Sequence, residues 1–336
     1  MVPNLMARVL SGIQPSGDVH LGNYVGAIRH WVADQDVTDS FFCIVDMHAI
    51  TVSQDPKKLA ESTLALAGLL LAAGIDPDRS TLFVQSHVHE HAELAWILNC
   101  IATFGELRRM TQFKEKAQKQ AEGSVTVGYF DYPVLQAADI LLYQADSVPV
   151  GEDQRQHVEL TRDIAGRFNQ RYGDTFLLPE PTIPQVGARI MDLQNPAAKM
   201  SKSAESPQGT LRVLDDPDAI RRKIKTAVTD SGREVVASPD KPAITNLLTI
   251  YSVATGRSIP ELEADYAEKG YAELKADLAD VVIEFLRPLQ EGYRRIASDP
   301  EALAGALDLG AQKAQKVASE TLQTVQERVG FVPRRT

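Results

Sequence analysis

The chain has 336 residues, 44% of them hydrophobic, and 35 Lys and Arg against 45 Asp and Glu give a formal charge of −10. That composition excludes a disordered or fibrous chain, and at ~150 residues per domain the length allows about two domains with a large core. Nonspecific nucleic-acid coating is excluded too, because it runs on phosphate neutralisation by net positive charge. Local basic faces stay open at Arg221, Arg222, Lys223 and Lys225, at Arg294 and Arg295, and at Lys313 and Lys316, although on charge patterning alone a solvated helix face is the plainer reading of each. Uncharged runs such as Ser62 to Ile75, 14 residues, stop short of a membrane span. Met1 to Leu10 has no apolar leader stretch, so the expected setting is the cytoplasm. Cys43 and Cys100 lie far apart with no CxxC, so two reduced core thiols are expected and no thiolate metal site.

In chain order, β-rich runs at Ala7 to Leu10, Phe41 to Val45, Thr81 to Gln85 and Ser147 to Val150 alternate with helical patterns at Tyr24 to Ala33, Pro56 to Ala73 and His91 to Phe104. This alternation predicts an α/β fold, a Rossmann-like doubly wound parallel sheet with ligands at the carboxyl ends of its strands. Arg108 to Glu122, dense in Lys, Gln and Glu, reads as a helical insertion within about residues 105–122. Gly173 to Ser206 is loop-rich, and beyond Pro207 helices dominate, at Asp218 to Val228, Ala243 to Thr255, Ala276 to Arg287 and Glu301 to Glu327. Two units follow: an α/β domain over 1–206 and an all-helical domain over 207–336.

Neither GxxxxGK[ST] nor GxGxxG occurs, so a nucleotide would be held some other way. Two segments offer one. Ser11 to Asn23 is a small-residue loop between a strand and a helix, where backbone can approach an anion, though such a loop is also an ordinary turn. Lys199-Met200-Ser201-Lys202-Ser203 carries two ammonium groups able to clamp a polyphosphate, or merely a solvated basic linker. On a helix whose first turn Pro133 would suit, Tyr132, Gln136, Asp139 and Tyr143 fall on one face. Asp139 among apolar neighbours needs a partner, a backbone amide or Arg of the same chain in the plainest reading. Val148 and Val150 share one side of a strand and can wall a pocket. Gly151-Glu152-Asp153-Gln154 opens a helix through Arg171, where the acids suit the helix N-terminus on their own account. His48, taken alone, is more plainly read as an ordinary core or surface histidine than as a site residue. In His87-Val88-His89-Glu90-His91, alternate histidines on a strand would share a face, but nothing completes a zinc site, and no resident metal is expected.

Pro15-Ser16-Gly17-Asp18-Val19-His20-Leu21-Gly22-Asn23 resembles the HIGH signature of class I aminoacyl-tRNA synthetases, and Lys199 to Ser203 matches their KMSKS signature. More narrowly, the Ser11 to Gly17 run, Asp46 to Thr51, Gly105 to Lys116, Tyr132 to Tyr143 and Gly151 to Gln154 resemble the tryptophanyl-tRNA synthetase family over nearly the whole chain. The resemblance implies ATP-dependent activation of tryptophan, with Mg²⁺, followed by transfer to the 2′-hydroxyl of the terminal adenosine of tRNA. It implies that Gln14, Pro15, Ser16, His20, Gly22 and Asn23 hold phosphates and adenosine, and that Lys199 and Lys202 take the departing pyrophosphate within a loop that includes Ser201 and Ser203. Ile190 and Met200 are implied at the adenine, and Gly151, Glu152 and Asp153 at the ribose. For tryptophan it implies Asp139 as acceptor of the indole N–H, Tyr132 and Gln154 at the amino group, His48 near the carboxylate, and Gln136, Val148 and Val150 around the ring. Gln136 stands where relatives often have Met, and Leu10 where some have Phe, which implies a more polar and less aromatic wall. The helical domain is implied to bind the anticodon, and the chain to act as a homodimer, with the insertion as an interface. Tyrosyl-tRNA synthetase, a silent tryptophan- or ATP-binding paralogue, and a small-molecule nucleotidyltransferase are the alternatives.

Overall fold

The computed structural model describes residues 6–114, 125–182, 189–201 and 206–333, with Asp153 as backbone alone. Five parallel strands form the sheet, in the order β3-β2-β1-β4-β5: β1 (Arg8–Ile13), β2 (Asp39–Ile44), β3 (Thr81–Val84), β4 (Ser147–Pro149) and β5 (Glu180–Thr182). Leu10 pairs with Phe41, Phe42 with Leu82 and Val9 with Ser147. Sequence order reverses between β1 and β4, so the crevice at their carboxyl ends is the place where such sheets bind ligands.

The helices start where local chemistry favours it. Between β1 and β2, α1 (Leu21–Asn23) runs through a π-helical stretch, Tyr24–Ile28, into α2 (Arg29–Asp34). After β2 come the single turn α3 (Asp46–Ala49) and α4 (Pro56–Ala72), whose cap Asp55 accepts from Lys58 N–H with Pro56 in the first turn. Beyond β3 lie α5 (Glu90–Asn99) and α6 (Phe104–Arg109), the latter opened by a Thr103–Glu106 capping box. Next is α7 (Val127–Leu142), capped by Thr126. Pro133 therefore lies inside α7 and not in its first turn. α8 (Arg155–Tyr172) connects β4 to β5.

After residue 206, α9 (Pro217–Lys225), α10 (Pro242–Thr255), α11 (Ile259–Asp265), α12 (Tyr271–Ala297) and α13 (Pro300–Val329) follow. They share cores with the sheet. Successive residues of β2 point to opposite faces. Phe42 and Ile44 join Leu70 and Leu82 in a core that also takes Leu248, Val282 and Leu286. Phe41 and Cys43 join Phe83, Ile140 and Phe168 in a second core that takes Ala314, Ala318, Leu322 and Val325 of α13. At Gly310, α13 lies so close to β3 that a Cβ would sit 1.7 Å from the Leu82 carbonyl oxygen. Cys43 is buried as expected, but Cys100, capping the end of α5, is exposed. Among the described residues no helix is long and apolar enough to cross a membrane. Of the insertion expected within residues 105–122, the first part is described, with α6 running to Arg109, and residues 115–122 lie outside the described residues.

Candidate active site

The loop leaving β1 turns at Gly17, whose φ of +64° favours glycine. Ser16 Oγ donates to Gln14 Oε1 at 3.4 Å. His20 is 2% exposed and caps α1: its Nδ1 accepts the Asn23 N–H at 3.2 Å, while Asn23 Oδ1 accepts the His20 N–H at 3.4 Å. Gly22 is small for a reason, since a Cβ there would meet the His20 ring at 3.1 Å and Ile190 Cβ at 3.7 Å. The first signature and the approach to the second therefore touch.

Backbone pairing links them again. Leu21 N–H donates to the Leu211 carbonyl at 2.8 Å, and Val213 N–H to the Val19 carbonyl at 3.0 Å. Upstream, Met191 and Lys199 form an antiparallel bridge, with Met200 N–H donating to Ile190 O at 3.1 Å. Ile190 and Met200 are buried in the core with Val19 and Leu21, while Lys199 faces solvent. Buried Asp192 closes the turn by accepting from Gln194 and Asn195 N–H at 2.7 and 2.9 Å. Its carboxylate packs on Gly209, where a Cβ would lie 2.1 Å from Oδ1. Asn246 of α10 clamps Met191 twice, accepting its N–H at 2.8 Å and donating to its carbonyl at 2.9 Å. Thr210 Oγ1 donates to the Ser201 carbonyl at 3.1 Å. Lys202 and Ser203 lie outside the described residues.

Asp139, 3% exposed, gathers groups from the carboxyl ends of β2 and β3. His48 Nε2 meets Oδ2 at 2.7 Å, and Gln85 Nε2 and His91 Nδ1 both meet Oδ1 at 2.7 Å. The His91 Nε2 in turn meets the Tyr143 hydroxyl at 2.8 Å. Burial works to raise the Asp139 carboxyl, but the charge and hydrogen bonds of His48, then His91, outweigh it and hold the group below the usual carboxylate range. The partner of this acid is thus neither a backbone amide nor an Arg. Gln85 is an addition that sequence reasoning missed, and His91, singled out there only as a possible zinc ligand, is a partner of Asp139 instead; the usable signal was a Gln directly after an apolar strand and a His within an apolar helix.

The other expected residues surround this edge. The Tyr132 hydroxyl donates to Gln112 Oε1 at 3.0 Å and contacts His157 Nε2 at 2.8 Å, and its ring stands edge-on to His48. Burial, with Tyr129 alongside, pushes its phenol upward. Gln136 is half-buried, and Val148 and Val150 pack into the second core with Leu10. Val150 N–H prolongs the β4–β5 pairing to Thr182 O at 2.9 Å. Gly151 caps a single 3₁₀ turn, Glu152–Gln154, before α8; Glu152 faces Arg155 at 3.6 Å, and the side chain of Asp153 is outside the description.

Two expectations fail on geometry. His87 ends a 3₁₀ turn, His89 caps α5 and His91 lies within it, so the three do not share a strand face. Among the described residues no three His, Cys, Asp or Glu side chains are arranged so that they could hold a metal ion. Lys223 turns inward to Asp215 at 2.5 Å and to the Thr210 carbonyl at 2.8 Å, which removes it from the basic face. Lys313 donates to the Pro77 carbonyl, and Arg221 pairs with Asp280 at 3.0 Å.

The sequence matches the family model described as tRNA synthetases class I (W and Y) over residues 4–287. Tryptophan–tRNA ligase 2 of Streptomyces avermitilis is 57% identical over 328 residues, 97% of each chain. Tryptophan–tRNA ligase of Caldanaerobacter subterraneus subsp. tengcongensis is 56% identical over 330 residues, 98% of this chain and 100% of the other. The crystal structure of tryptophanyl-tRNA synthetase from Campylobacter jejuni complexed with ADP and tryptophan is 38% identical, with a TM-score of 0.86 over 96% of this chain and 100% of that one. A sheet reversing between β1 and β4, a first signature lying against the approach to the second, and near-complete alignment agree, and the chain belongs to the class I tRNA synthetases of the tryptophan and tyrosine group.

Proposed function

We propose that this chain is a tryptophan–tRNA ligase, and one observation carries the choice of amino acid: a buried, ionised acceptor, Asp139, held by His48, Gln85 and His91 at the carboxyl ends of β2 and β3. An aromatic side chain lacking a donor would strand that carboxylate, a larger penalty than apolar fit can impose. In the first step the tryptophan carboxylate attacks the α-phosphorus of ATP in line. A carboxylate–phosphorus bond forms, the bond to the β-phosphate bridge breaks, and pyrophosphate leaves with the electron pair. The attacking carboxylate is already ionised at neutral pH and needs no base. His20 therefore acts by position, its Nδ1 being committed to the α1 cap. The loop from Gln14 to Asn23 holds the nucleotide, with Ile190 and Met200 beneath the adenine, Gly151 to Asp153 at the ribose, and Lys199 with Lys202 on the leaving charge. Positioning and electrostatics supply the rate.

Tyr132 and Gln154 hold the amino group, His48 faces the carboxylate, and Gln136, Val148 and Val150 border the ring. Mg²⁺ is proposed to travel with the nucleotide and neutralise phosphate charge. In the second step the 2′-hydroxyl of the terminal adenosine of tRNA attacks the adenylate carbonyl and AMP leaves. Residues 1–206 act as the catalytic unit and 207–336 as the anticodon-binding unit, on a shared core. Arg222, Lys225, Arg294, Arg295 and Lys316 are the proposed phosphate contacts. Exposed Trp96 and Phe104, the latter opening the helix that leads into the insertion, support pairing of two copies there.

The test is exchange of labelled pyrophosphate into ATP, without tRNA, against each of the twenty amino acids. Exchange with tryptophan alone is expected, and exchange with tyrosine overturns the pocket assignment. Lys199→Met should slow exchange far more than it raises either substrate KM.

A further inference from the structure

Two side chains around Asp139, His91 and Tyr143, have no part in the chemistry proposed above, yet both are fully buried. An ionised carboxylate has roughly four lone-pair sites and can only accept. Gln85 Nε2–H and His91 Nδ1–H fill the two on Oδ1, each at 2.7 Å, and His48 Nε2–H takes one on Oδ2. Among the described residues no fourth donor reaches Asp139, which leaves one acceptor site on Oδ2. His91 is a donor toward Asp139 only while its proton sits on Nδ1, and the group on the other ring nitrogen decides that. That group is the Tyr143 hydroxyl, 2.8 Å from Nε2 and four residues beyond Asp139, so one turn at the end of α7 grips both sides of the imidazole.

We infer that Tyr143 and His91 are positioning residues that saturate Oδ1 and leave Asp139 a single acceptor site for the indole N–H, so that they set the preference for tryptophan over an isosteric ring without that donor. The inference rests on the tryptophan reading above. Selectivity arises because a substrate without N–H strands a buried acceptor. If His91 stops donating, Oδ1 is free to take water and the carboxylate is free to turn, and the stranding penalty falls.

The measurement is the ratio of kcat/KM for tryptophan to that for β-(benzothiophen-3-yl)alanine, in which sulfur replaces N–H, using amino-acid-dependent pyrophosphate exchange. Three variants separate positioning from packing: Tyr143→Phe removes the grip on Nε2, His91→Asn keeps an amide donor near Nδ1, and His91→Gln moves it toward Nε2. Tyr143→Phe and His91→Gln should each lower the ratio about fivefold or more, while His91→Asn should stay within about twofold of the parent, all with unchanged ATP KM. The inference fails if the ratio survives in Tyr143→Phe and His91→Gln, or if the two His91 variants are equally impaired. Should Tyr143→Phe not fold, the His91 pair carries the same contrast. Parent exchange driven by another amino acid would sink the tryptophan reading and this inference with it; tryptophan-specific exchange with an unmoved ratio would sink this inference alone.

Discussion

Replacing Asn246 by leucine, of similar size, removes the two hydrogen bonds that fasten Met191 to α10. Asn246 is 4% exposed, so the leucine fits an interior position, but the Met191 N–H and carbonyl lose their partners. A polar group left unpaired in the interior costs about 1–3 kcal/mol. Met191 is half-buried and water can reach part of it, so the lower part of that range applies to each group, about 2–3 kcal/mol together. The loss is felt at the neighbouring Ile190–Met200 hydrogen bond, which seats the loop carrying Lys199. Urea unfolding should record the destabilisation. Steady-state exchange should show kcat down about tenfold, the equivalent of ~1.4 kcal/mol of misplaced transition-state contact, with tryptophan KM little changed because Asp139 is untouched. A variant within about 0.5 kcal/mol of the parent and with unaltered kcat would refute the clamp.

Gly310→Ala should lose at least about 3 kcal/mol or fail to fold, because its Cβ would lie 1.7 Å from the Leu82 carbonyl oxygen. On the same helix Gly305 has open space, so Gly305→Ala should gain about 0.5–1 kcal/mol, and thermal melts of the pair check both signs. Gly209→Ala should displace Asp192 and slow exchange; placing it in an Asp192→Ala background should recover part of its own loss, a coupling that a double-mutant cycle reads directly. Burial works to raise the Glu106 carboxyl, but bonds from Arg167 and Thr103 outweigh it and bring it down to about 2. The folded value lies below the ordinary 4.5, so this stabilisation is present above pH 4.5 and disappears as pH falls toward 2. After discounting for the solvent exposure of Arg167 it amounts to about 1–2 kcal/mol, and in Glu106→Gln the fall in stability across that window should flatten accordingly.

Four strands were legible because runs such as Phe41 to Ile44 and Thr81 to Val84 are continuous and rich in aromatic and β-branched residues. The fifth was not. Glu180-Pro181-Thr182 has no apolar face and contains a proline, which a sheet tolerates at its edge. Pro133 drew the expected start of α7 too far along; Thr126, an ordinary capping residue, sets the start, and tertiary packing around Val134 and Ala138 carries the helix past the proline. The signature loops could be read by residue type, but their contact could not, since Gly22 lies against Ile190 from half the chain length away. Likewise the acid at position 139 announced a need for partners without naming them, because His48, Gln85 and His91 arrive from two other strand ends. Periodicity marked the last helices as amphipathic; what they cover is a property of the packed molecule. Of these helices α13 lies on the sheet, at β3; α12 packs on α4 and gathers α9 and α10, in cores that also hold sheet residues, so the helical character after Pro207 does not mark a separate core.

The place of α13 bears on how the polypeptide acquires its shape as it is made. Ala314, Ala318, Leu322 and Val325 complete the core beneath Phe83 and Ile140, and Gly310 lets the helix lie flat on the backbone of β3. Synthesis runs from the amino end, so every strand of the sheet leaves the ribosome before the helix that covers this face. Through that interval the nascent sheet carries an apolar surface open to water, and the step that closes it joins residues more than two hundred positions apart. Such long-range closure is intrinsically slow, which makes the interval before α13 docks the period in which a chaperone has most to shield.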